Sequence, residues 1–150
     1  MNKVPTQIAD NSHTFRPELV DLTQIPAVAC PCGTARRAFA DRDEIPGTIH
    51  LTEISKDARE HYHQEHTEVY VILQCEHDAA IELDGQRFPV KPLTSILIPP
   101  GVRHRAIGQM SVLIVCTPNF DPTDEHFDSE IRPSASQSRR QGESDADRRC

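Results

Sequence analysis

The feature that most limits what this chain can fold into is the rhythm of residues 48–118. Short apolar runs follow one another, each ended by a turn signal, and no helical period lasts three turns. Thr48–Ile54 alternates and is rich in β-branched residues, with Ile49, Leu51 and Glu53 on one side, which predicts a strand. Val69–Leu73 is apolar on both faces and predicts a strand buried on both sides. Ala79–Leu83 follows, Asp84-Gly85 is a two-residue hairpin signal of type I′, and Gln86–Val90 returns from it. Ser95–Ile98 is closed by Pro99-Pro100-Gly101, His104–Ile107 is short, and Ser111–Thr117 is the last strand. Many short strands at close spacing predict an all-β sandwich or barrel.

The flanks read differently. Residues 1–14 are polar and aperiodic, a loose leader. Pro26 and Pro31 exclude a long helix or a central strand between them, so an edge strand or extended arm is expected there. Phe120, Phe127 and Ile131 are placed to pack back as a short helix or lid. Residues 133–150 hold almost nothing apolar and are expected to be disordered. One domain over 15–132 is the expectation for 150 residues.

Composition bounds the function. The formal charge is −7 and the arginine pairs are isolated, so nothing favours nucleic acid. No run approaches the roughly 18 apolar residues of a membrane span, and the N-terminus has no apolar signal-type core. A soluble, cytoplasmic protein is expected, with its five cysteines reduced. Cys30 and Cys32 form a C-x-C, but no second pair completes a four-thiolate zinc site. Cys116 reads as core, and Cys75 as a small buried hydrophobe or a redox-active thiol near the site.

The chemistry concentrates in His61-Tyr62-His63-Gln64-Glu65-His66-Thr67-Glu68. In extended chain, residues two apart share a face, so the His61 and His63 imidazoles project together and Tyr62 turns away. Glu68 shares its face with Tyr70 and Ile72, where an unpaired carboxylate is costly unless a cation offsets it. His104 follows the rigid Pro-Pro-Gly turn. Three His and one carboxylate suit one divalent transition metal, Fe(II), Mn(II), Ni(II) or Zn(II). His66 and Glu65 read as solvated loop residues. Tyr70, Glu53 and Arg36 are weak candidates for catalytic roles, His50 for lining the barrel, and Arg36 or Arg37 for holding a substrate anion. Asp121, Asp124, Glu125 and His126 could hold a second cation, but a solvated helix start is the better reading.

These residues resemble the two motifs of the cupin superfamily. His61, His63 and Glu68 fit the first, His-x-His followed by Glu; Pro99, Gly101 and His104 fit the second, Pro-x-Gly-x-x-His. The resemblance covers 48–118. Ser55 and Cys75 stand where the first motif carries glycine, Leu93 replaces the leading glycine of the second, and Gly108 its final Asn. The resemblance implies a double-stranded β-helix, or jelly-roll barrel, with the metal at its mouth and a homodimer as its assembly. It implies a small-molecule substrate and, for a site with three His and one Glu, an Fe(II)-type dioxygenase. A sugar-phosphate isomerase-like or lyase activity, or a non-catalytic ligand-binding or sensor role, are the alternatives.

Overall fold

The computed structural model describes residues 17–55 and 58–128. The expected leader, the tail and Ile131 lie outside the described residues. Nine strands form: β1 (Val28–Cys30), β2 (Gly33–Ala38), β3 (Thr48–Ile54), β4 (Thr67–Cys75), β5 (Ala80–Leu83), β6 (Gln86–Pro89), β7 (Ser95–Ile98), β8 (His104–Ile107) and β9 (Met110–Thr117). Short 3-10 turns at Leu22–Gln24 and Pro122–Asp124 flank them. Among the described residues no helix is long and apolar enough to cross a membrane.

Every strand pairing is antiparallel. Six strands form one sheet in the order β1-β2-β3-β9-β4-β7, and β6-β5-β8 form a second. This is the all-β jelly-roll architecture that the strand rhythm and the motifs imply. Asp84 and Gly85 take φ 48° and 82°, the left-handed pair that a type I′ hairpin requires.

The core is built from alternate residues, because side chains in a strand alternate between faces. Ile54, Tyr70, Ile72, Ile98, Val112 and Ile114 of the large sheet meet Ile81 and Ala106 of the small one. The face of β3 that points inward is Thr48, His50, Thr52 and Ile54; Glu53 is exposed. Both faces of β3 carry apolar side chains, so alternation alone leaves open which one is covered. The expectation that Val69–Leu73 is buried on both sides is corrected too. Tyr70 and Ile72 are buried, Val69 and Val71 are half-covered and Leu73 is exposed, since no described element packs on that outer face.

Leu93 stands where the motif has glycine and takes φ 69°. A left-handed conformation is costly for a branched side chain, by roughly 1–2 kcal/mol. The Leu93 N–H donates to Ile72 O at 2.7 Å, which holds the turn in place.

Candidate metal centre

Two backbone ladders bring the ligand segments together. His61 N donates to His104 O at 3.1 Å and His104 N to His61 O at 2.8 Å. Gly101 N donates to His63 O at 2.7 Å, which ties the Pro-Pro-Gly turn to the histidine segment. Glu68 is the first inward residue of β4, opposite Cys116 on one side and Ile98 on the other. All four residues, His61, His63, Glu68 and His104, are buried, and their ligand atoms lie within 4.8 Å of one another.

Each imidazole is aimed by its other nitrogen. His61 Nδ1 lies 3.2 Å from Arg59 O, His63 Nδ1 2.8 Å from Asp124 O, and His104 Nδ1 3.0 Å from Val102 O. A carbonyl can only accept, so each Nδ1 carries the proton and each Nε2 presents a lone pair, as metal-binding histidines do. The Nε2 atoms of His63 and His104 each lie 3.3 Å from Glu68 Oε2. These three atoms are buried with no hydrogen-bond partner. Acceptors converging without donors repel one another, and a cation is the fit for that arrangement.

Without a cation, burial and the Glu68 charge pull these groups in different directions. Burial first, then the neighbouring His104, lower His61 to about 4, so it is neutral at physiological pH. Burial works against charge on His63, but the Glu68 carboxylate overrides it and raises the pKa. Burial would raise Glu68, yet His104 and His63 pull it well below the carboxylate range. Burial, then the Glu68 charge, push the Tyr70 hydroxyl well above its ordinary value.

A second cluster adjoins the first and corrects the reading of His66. That residue is only 2% exposed, not a solvated loop histidine. Residues 64–66 turn around Asp124, whose carboxylate accepts the N–H groups of Gln64, Glu65 and His66 at 2.9, 3.0 and 3.0 Å. His66 Nδ1 lies 2.9 Å from Asp124 Oδ2, and His66 Nε2 accepts from Asp121 N at 3.2 Å. The helix start is present as the 3-10 turn capped by Asp121, but Asp124 is an anchor turned inward and not a solvated end. Tyr62 N and His126 N bond back to each other's carbonyls. Phe120 lies 4.1 Å under the Arg37 guanidinium and Phe127 4.2 Å under that of Arg59. Residues 119–128 thus strap the ligand segment.

The remaining candidates separate. Tyr70 lies beside the centre, its ring 6.0 Å from that of His104. Glu53 does not reach it; it is exposed, accepts from Ser111 Oγ at 3.0 Å and lines an open cleft of about 560 Å³ that touches none of the four residues. Arg36 donates to Ile25 O and pins the N-terminal segment. The neighbouring Arg37 faces inward, opposite His50 in the register, with its Nε buried and unpartnered. His50 is buried, its Nε2 2.8 Å from Thr48 Oγ1. Glu125, read from the sequence as part of a solvated helix start or a second-cation cluster, becomes a functional candidate by its position. It is half-buried on the strap, and burial raises its carboxyl above the ordinary value while it feels the charges of His63, Glu68 and His104. No spacing rule marks it, because the strap that places it is not a strand.

No protein of curated function matches the sequence. Among solved structures, a protein from Planctomyces limnophilus is 47% identical over 75% of this chain and 98% of its own, with a TM-score of 0.73. Pac13, described as a unique nucleoside dehydratase, is 15% identical over 78% of this chain and 98% of its own, with a TM-score of 0.61. The polyketide cyclase RemF from Streptomyces resistomycificus is 22% identical over 77% and 89%, with a TM-score of 0.60. At those lower identities the likeness is one of fold. The Cupin domain family profile matches residues 48–116, the span that holds both motifs and all four clustered ligands. By fold, motif and profile together, the chain belongs to the cupin superfamily.

Proposed function

We propose that His61, His63, Glu68 and His104 hold one divalent transition metal, and that the chain is an enzyme acting on a small molecule beside it. The observation that carries this reading is the convergence of the unpartnered Nε2 atoms of His63 and His104 on the unpartnered Oε2 of Glu68. Each buried polar atom left unpaired costs about 1–3 kcal/mol, and a bound cation offsets all three at once. When bound, the metal supplies Lewis acidity toward a substrate carbonyl or hydroxyl, or, if it is iron, a site for dioxygen chemistry.

Proton-transfer chemistry of the lyase or isomerase type is the better supported reaction class. Tyr70 Oη keeps its proton at neutral pH and donates it toward a bound ligand. The Glu125 carboxyl, raised by burial, takes and returns a proton nearer neutrality than a solvated glutamate does. The Arg37 guanidinium, inward and with a free Nε, orients an anionic group of the substrate. An Fe(II) dioxygenase is the second reading, favoured by the set of three imidazoles and one carboxylate. Metal analysis of protein purified without added metal, with oxygen uptake on a panel of small molecules, separates the two. Zinc or manganese without oxygen uptake supports the first reading; iron with substrate-dependent uptake overturns it. Turnover that fails on every panel while metal binds stoichiometrically supports a sensor in its place.

The outer face of the large sheet favours a homodimer. Leu97, Val69, Val115 and Ile49 form one row across β7, β4, β9 and β3, and Val71, Leu113 and Leu51 form the next. Leu97 is 63% exposed, and no described element covers the rows. A second copy of the same face is self-complementary. Light scattering should give twice the chain mass, and Leu97→Glu should give the single chain.

A further inference from the structure

The β1–β2 turn carries two thiols that the metal centre does not use. Cys30 pairs with Gly33, so Pro31 and Cys32 form a two-residue turn. The turn is tight: a Cβ on Gly33, at φ 147°, would meet Glu53 O at 2.1 Å. Both cysteines are free and half-buried, and their sulfurs are 2.8 Å apart.

That spacing decides what the pair can do. Two thiolates on one tetrahedral zinc, each about 2.3 Å from it, stand roughly 3.7 Å apart. The pair is too close for that, and among the described residues neither thiol joins a group of potential metal ligands. A disulfide needs the sulfurs at about 2.05 Å, a small further approach.

We propose that Cys30 and Cys32 form a reversible dithiol–disulfide pair, a redox modification site in the β1–β2 turn. The oxidant is a low-molecular-weight disulfide. Cys30 Sγ, as the thiolate, attacks one of its sulfurs; that S–S bond breaks and the first small thiolate leaves. Cys32 gives its proton to that thiolate, and its own Sγ attacks Cys30 Sγ. The mixed S–S bond breaks, and the second small thiolate leaves and takes a proton from water. Two protein thiols lose two electrons, and one small disulfide becomes two small thiols.

The order of attack follows from the surroundings of the two sulfurs. Either thiol can donate across their contact, but Cys32 packs against the core cluster and Cys30 does not, and the Arg37 charge favours a thiolate at Cys30. Cys30 is therefore the attacking thiol and Cys32 the resolving one. A ring closed over one intervening residue gains little from chain entropy and is strained. The bond is accordingly labile, a switch and not a staple. It also sits close to the metal centre through the backbone. Pro31 O accepts from Arg59 N at 3.4 Å, and Arg59 O accepts from His61 Nδ1 at 3.2 Å.

The test equilibrates the full chain in buffers of rising oxidised-to-reduced glutathione ratio, alkylates the remaining thiols and maps the peptides. The expected result is loss of two of the five thiols, a bond mapped to Cys30 and Cys32, and reversal by reduced glutathione. Cys32→Ser should trap glutathione on Cys30, whereas Cys30→Ser should leave Cys32 unmodified. Alkylation of Cys30 in the unmutated chain should reach half its maximum at a lower pH than that of Cys32. Five free thiols at every ratio, a bond to Cys75, Cys116 or Cys150, or equal trapping by both serine variants would overturn the assignment. Should a serine variant not fold, the peptide map of the unmutated chain decides by itself.

Discussion

Among the described residues two buried His–carboxylate clusters share His63, and they are chemically unlike. In the first, His61, His63, Glu68 and His104 point lone pairs at one another and leave Nε2 and Oε2 atoms unpartnered. In the second, both Asp124 oxygens are taken by backbone N–H groups, and His66 and His126 close around them. His63, His66 and Asp124 also come within metal-binding distance of one another. Residue type therefore does not tell a metal site from a structural anchor. What tells them apart is the carboxylate: both Asp124 oxygens are used by backbone N–H groups, whereas Glu68 Oε2 has no partner, although His66 Nδ1 is as unpartnered as the Nε2 atoms of the first cluster.

The largest effect that tests this contrast is on metal content. Replacing His61 and His63 with Ala should weaken metal binding by more than about 100-fold, beyond what loss of an outer partner produces. His66→Ala should leave the stoichiometry, read by elemental analysis, unchanged. If metal survives the double variant, the first cluster is not the site. Next in size is Asp124→Ala, which removes the acceptor for three N–H groups and should cost about 3 kcal/mol in denaturant unfolding. It should weaken metal binding only about tenfold, through the looser hold on His63.

Acid should separate the regions in a third way. His50 lies against Phe120, and burial first, then Arg37, hold its pKa down to about 4. A depressed histidine contributes stability that is complete above its unfolded value and is lost as pH falls through the folded one. In metal-free protein His50 should thus cost on the order of 3 kcal/mol between about pH 6.5 and 4, beside a like contribution from His61, and His50→Gln should remove its share of that slope. Asp124 is held at about 2, where the three N–H groups and His126 overcome the effect of burial. Its contribution should be complete above about pH 4, decline as pH falls from about 4 to about 2, and be gone below that. The smallest expected effect lies outside both clusters. Leu93→Gly relieves the left-handed strain and should raise stability by roughly 1 kcal/mol without changing metal content.

Much of the fold was legible because turns and alternation act locally. Thr48–Ile54, Ser95–Ile98 and His104–Ile107 form strands with the bounds their patterns predict, and Asp84-Gly85 makes its hairpin. The four residues that cluster could be grouped because motif spacing fixes both where each strand starts and which face it shows. His66 is legible from one side only: counted back from Glu68 it shares that residue's buried face, counted forward from His63 it does not, and the turn around Asp124 breaks parity between the two. The inward arginine is Arg37 and not Arg36 for a related reason. Parity depends on the register with β3, which a pair of adjacent arginines does not reveal. The strap is held by single hydrogen bonds between segments about 60 residues apart, and no local pattern encodes those.

The strap has a consequence for how the centre comes into being. The carbonyl that sets the His63 tautomer belongs to Asp124, beyond the last strand and beyond the span that matches the family profile. A ribosome that has released residues up to 118 has delivered all four clustered residues but not the group that aims one of them. The candidate centre is therefore completed only after the family core has been made. A chain shortened to that core would keep all four side chains and yet lose the contact that orients His63.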